Sequence, residues 1–82
     1  MTLDEARNKI DSIDEQIAEL FNQRQEISRE ISMIKKSANM PLQDLSREEA
    51  VMQKAESRCG IYGRELFQKL MDLSKKEQAR YK

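Results

Sequence analysis

The sequence predicts an all-α fold of three helices per chain, one long, one short and one medium, and three observations predict it. Apolar residues recur every three or four positions through the first half of the 82 residues. Two Gly and one Pro are all that interrupt the chain, and the β-branched residues are mainly Ile at those spaced positions rather than in strand-like alternation. Charged residues reach 37% against 38% hydrophobic, the balance of helices that wet one face and bury the other. A chain of 82 residues fits one small domain, residues 1–82, which excludes two-domain enzymes.

The first helix is expected over about residues 3–38. Thr2 followed by Glu5 forms a capping box, and Asn39-Met40-Pro41 supplies the stop. Between them Leu3, Ala6, Ile10, Ile13, Ile17, Leu20, Arg24, Ile27, Ile31, Ile34 and Ala38 alternate spacings of three and four. Such a helix is about 54 Å long at ~1.5 Å per residue, whereas a compact globule of this size has a radius of gyration near ~12 Å. The seam must therefore bury itself against a partner, and a second copy of the chain is the expected one.

Arg24 is the exception in that seam. A guanidinium there must be paired or solvated, because an unpaired buried charge costs several kcal/mol. On the helix alone, a polar residue that sets register explains it equally well. Lys35 adds to the other side of the balance: eleven residues on, it lies only about 20° around the helix and ~16 Å along it, so two long cations lean toward one space. Taken singly, Lys35 beside Lys36 reads as a solvated charge. Arg7 lies about 25 Å from Arg24 and near 100° off its face, so the two cannot share a small ligand unless another chain supplies Arg7.

Helix two is expected over about residues 44–58, with Asp44 or Ser46 as its cap and Glu49 completing a second box with Ser46. Arg47 and Glu48 in its first turn read on their own as surface charges. Gly60 closes it, and Gly63 lies near the start of a third helix over about residues 62–80. The stripe Phe67, Leu70, Met71 of that helix continues into Ser74 and Gln78, turning polar where a site could sit; terminal fraying is the competing account. Cys59, Tyr62 and Tyr81 read as packing or surface residues.

Composition excludes several chemistries. With no His, the usual general base and every Ser-His or Cys-His nucleophile are missing. Fifteen basic and fifteen acidic residues leave no basic tract for nucleic acid. One cysteine forms neither an internal disulfide nor a thiolate metal cage, which points to a reducing, cytoplasmic compartment. No apolar run approaches the ~20 residues of a membrane span, and no basic and apolar leader is visible, so a mature soluble chain with no membrane partner is expected. No metal site or phosphate loop is expected either.

The order of a long, a short and a medium helix, with Arg7 near the start, Arg24 and Lys35 eleven apart, Asp44-x-x-Arg47-Glu48 after Pro41, and Ser74-x-x-x-Gln78 near the end, resembles the all-helical, dimeric bacterial-type chorismate mutase family. The resemblance spans nearly the whole chain, from Ala6-Arg7-Asn8-Lys9-Ile10-Asp11 through Gln78, and departs in a shorter Cys59–Gly63 connection. It implies two chains intertwined as a six-helix homodimer in which each site borrows an arginine from the opposite chain. It implies, too, that chorismate, a small dianion, rearranges to prephenate by a [3,3] Claisen shift in phenylalanine and tyrosine biosynthesis. That reaction needs no cofactor, metal, covalent intermediate or proton transfer, which the missing histidine permits.

By the same resemblance, Arg24 and the opposite chain's Arg7 clamp the substrate carboxylates, Arg47 adds positive field and Ser74 a further donor. Lys35 and Gln78 donate to the ether oxygen as the C–O bond breaks, so that Lys35, Gln78 and Arg24 carry the catalysis. Glu48 accepts from the ring hydroxyl and Asp44 helps at that end. The alternatives are an isochorismate pyruvate lyase of the same fold, against which Glu48 leans, and a non-catalytic coiled-coil dimerisation module, which leaves Arg24, Lys35, Ser74 and Gln78 as coincidences.

Overall fold

The structure, a computed structural model, describes residues 1–80, so Tyr81 lies outside the described residues. It is all-α. Helix α1 spans Leu3–Ser37, α2 Leu45–Cys59 and α3 Gly63–Arg80, and one 3-10 turn, Gly60–Tyr62, joins α2 to α3. The three expected helices are present, and the 3-10 turn joins α2 directly to α3, so that these two form one folded helical stretch beside the long α1.

Local chemistry sets the ends. Thr2 Oγ1 accepts from the Glu5 amide at 3.1 Å, while Asp4, Glu5 and, at the far end, Lys35 and Lys36 complement the helix dipole. Asn39 takes φ +53°, a left-handed turn that Asn tolerates, and Pro41 follows. Of the two caps considered for α2, Asp44 serves: its Oδ1 accepts from the Arg47 amide at 3.0 Å, and Ser46 is inside the helix, so the Ser46–Glu49 box does not form. Gly60, at φ +73°, makes the reversal between α2 and α3 in a conformation that L side chains rarely adopt. At Gly63 a β-carbon would run into the Ala55 carbonyl, so glycine there lets α3 lie close on α2.

Helix α3 packs on both other helices, whereas α1 and α2 do not pack on each other among the described residues. The α1–α3 seam is written in polar pairs: Arg24 with Leu70, Ser28 with Ser74 and Ser32 with Gln78. Each step advances four residues on both helices, so α1 and α3 run parallel. Ser28 and Ser32, 3% and 2% exposed, are small enough to let the backbones approach. The core is otherwise slight, with Met52, Ala55 and Met71 buried.

The isoleucine seam is on a different face. Ile10, Ile13, Ile17, Leu20, Ile27 and Ile34 are 48–63% exposed in the single chain, because α1 outreaches the α2–α3 stretch and turns its serines toward α3. The radius of gyration is 15.8 Å and the long axis 54 Å, so the chain is far more extended than a globule of its length. Among the described residues no helix is long and apolar enough to cross a membrane.

Candidate active site

The gap between α1 and α2, floored by α3, is a cavity of about 390 Å³. From α1 it receives Arg24, Ile27, Ser28, Ile31 and Lys35; from the connector and α2, Leu42, Asp44, Arg47, Glu48 and Val51; from α3, Met71, Ser74, Lys75 and Gln78. Seven of the eight residues singled out in the sequence meet there: Arg24, Lys35, Asp44, Arg47, Glu48, Ser74 and Gln78. Arg7 does not; it is exposed on the first third of α1, away from the cavity.

Arg24 is fixed by one of its five N–H groups, which donates to the Leu70 carbonyl at 3.2 Å. Burial, and then the positive charge of Arg47, hold its pKa below the ordinary arginine value, though a guanidinium stays charged at neutral pH. Two guanidiniums therefore repel across the same space. Lys35 Nζ donates to the Leu42 carbonyl at 2.6 Å, which aims the ammonium across the mouth of the connector and leaves two of its three donors. Among the described residues neither Arg24, Lys35 nor Arg47 has a carboxylate partner: Asp44 caps α2, and Glu48 is engaged by Lys75 at 2.6 Å. The surplus of positive charge fits an anion.

On α3 a chain of hydroxyls fixes proton directions. Ser28 Oγ donates to the Arg24 carbonyl at 3.0 Å, so at 2.6 Å it accepts the Ser74 proton, and Ser74 Oγ in turn accepts from Gln78 Nε2 at 3.3 Å. A hydroxyl has one proton, so in this network Ser74 donates to a ligand only by releasing Ser28. Gln78 is 6% exposed, which removes the fraying account, and keeps a second N–H for the cavity.

A family model described as chorismate mutase type II matches residues 6–79. The chain belongs to the chorismate mutase type II family. It is an isomerase, and its family's reaction belongs to aromatic amino acid biosynthesis. The chain is 36% identical over 73 residues to a bifunctional chorismate mutase/prephenate dehydratase of Aquifex aeolicus, covering 89% of this chain but 16% of that protein. It is 29% identical over 85 residues to a chorismate mutase of Methanocaldococcus jannaschii, covering 96% and 86%. A conserved hypothetical protein from Pyrococcus furiosus has a similar structure, with TM-score 0.86 and 42% identity over 95% of this chain and 96% of that one.

Two polar residues of the cavity, Ser28 and Lys75, and one of the α1–α3 seam, Ser32, escaped the sequence reading. Ser28 and Ser32 lie four and eight residues past Arg24, on the row that meets α3, and small uncharged residues in that row were the available signal. Lys75 is one turn past Met71 in the α3 stripe, where an apolar residue would continue the pattern; a cation in that place was the sign of a polar wall.

Proposed function

We propose that this chorismate mutase binds chorismate in the α1–α2 gap and carries it to prephenate by holding the reactive conformer and stabilising charge as it develops. The observation that carries the reading is the trio Arg24, Lys35 and Arg47, gathered around one cavity without a carboxylate partner among the described residues. Arg24 and Arg47 are suited to the substrate's carboxylates, in bidentate pairs that restrict it to the folded conformer. Lys35 and the free N–H of Gln78 donate to the ether oxygen. As the C–O bond breaks and the new C–C bond forms, electrons shift around one ring, no proton leaves and nothing attaches to the protein. Donors aimed at that oxygen therefore act chiefly in the transition state. Glu48 accepts from the ring hydroxyl, with Asp44 beside it at the start of α2.

The proposal includes a homodimer of six intertwined helices, in which the exposed isoleucine face of α1 is covered by a second copy and the opposite chain's Arg7 completes each site. A cytoplasmic setting suits the free, exposed Cys59. The test is direct: purified protein, with nothing added, is expected to consume chorismate and release prephenate, and to leave isochorismate intact. No loss of chorismate absorbance at micromolar enzyme would refute the reading.

Gln78 offers a second check. An amide donates at any ordinary pH, whereas a carboxyl donates only when protonated. Gln78→Glu is therefore expected to lose activity at neutral pH and regain about tenfold per unit as pH falls toward the carboxyl pKa. A pH–rate profile matching that of the unsubstituted enzyme would count against Gln78 as the ether-oxygen donor.

A further inference from the structure

Lys75 has no part in the account above, yet it lines the cavity between Met71 and Gln78 on α3. Its Nζ donates to Glu48 Oε1 at 2.6 Å, tying α3 to α2. The second oxygen of that carboxylate, Oε2, is buried and accepts from nothing among the described residues. A buried carboxylate oxygen without a donor is costly, and the cost is recovered by whatever brings it a proton donor.

These two observations divide the carboxylate. Resting on the reading of chorismate as substrate, we infer that Lys75 is a positioning residue that makes the site selective for a free ring hydroxyl. By occupying Oε1 it fixes the side-chain angle of Glu48, so that Oε2 is left as an acceptor for a donor on the substrate. It also keeps Glu48 from turning to Arg24 or Arg47, both of which line the same cavity and are needed for the carboxylates. A substrate with an ether in place of the hydroxyl leaves Oε2 unsatisfied, and sites built around such a hydrogen bond reject analogues that lack it. A plain interhelix ion pair at this exposure, 36% for Lys75 and 21% for Glu48, would instead affect stability alone, and slightly.

The experiment compares the unsubstituted enzyme, Lys75→Met, Lys75→Gln and Lys75→Arg on chorismate and on chorismate O-methylated at the ring hydroxyl. Lys75→Met and Lys75→Gln are each expected to raise KM for chorismate about tenfold, with kcat changed less than about threefold, and to reduce the preference for chorismate over the methylated analogue about tenfold. Lys75→Arg restores most of both. In a Glu48→Gln background the same substitutions have little further effect. An active enzyme whose neutral variants keep KM and preference while losing only thermal stability would overturn the role of Lys75 and leave the proposed function standing. An unsubstituted enzyme inactive on chorismate would overturn both.

Discussion

Lys35→Ala is expected to lower kcat about 10²- to 10³-fold, the loss typical of one donor removed from a developing oxyanion. The side chain stands in the last turn of α1 and reaches the Leu42 carbonyl, so its ammonium spans the boundary between helix and connector. Truncation removes a charge whose benefit grows as the ether oxygen gains electron density, which is why kcat rather than KM carries the loss. The Leu42 carbonyl is only partly buried, and water replaces its donor, so the fold is expected to survive with a small change in Tm. Lys35→Arg is expected to recover little, since a planar fork does not aim like a point charge on a flexible stem. Steady-state kinetics with a Tm measured in parallel decides the matter. A raised KM at unchanged kcat would make Lys35 a binder of the ground state and leave the ether oxygen to Gln78.

How much of this was readable beforehand follows from which interactions are local. The cap of α1 was legible, because a cap is decided within four residues: Thr2 with Glu5. The reversal was marked by Gly60. The choice between Asp44 and Ser46 was not, since both precede a plausible first turn and only the path from Pro41 favours one. The apolar period of α1 was plain and pointed to a partner, but it hid which face of α1 is used within the chain. The face that meets α3 is the serine row 28 and 32, about 100° from Ile27 and Ile31, and nothing in the periodicity says that the weaker-looking row is the one used within the chain. The convergence of Arg24 and Lys35 could be worked out from helix geometry, whereas their meeting with Arg47 and Gln78 depends on the fold-back at Gly60 and could enter only through resemblance. Lys75 with Glu48, and Ser28 with Ser74, join positions 27 and 46 residues apart, beyond the reach of any local rule.

Mixing inactive chains is expected to restore activity. Arg24→Ala removes a guanidinium held beside Arg47 in the cavity, and Arg7→Ala removes one that the chain's own cavity never receives. Along a single helix the two positions are about 25 Å apart and near 100° out of phase, so one chain cannot bring both to one small dianion. If each site takes Arg24 from one chain and Arg7 from its partner, either variant alone has two defective sites. Unfolded together and refolded in equal amounts, the chains form heterodimers in about half of the dimers, each with one site free of both substitutions, so about a quarter of the unsubstituted activity returns. The isoleucine face that would join the copies is 48–63% exposed along α1, and water on such a surface is costly enough to hold the exchange product together once formed. Activity equal to the sum of the two variants, with the mixture sedimenting as a dimer, would instead mean that Arg7 serves the surface of its own chain, and the carboxylate it was assigned would have to be met by Arg47 alone.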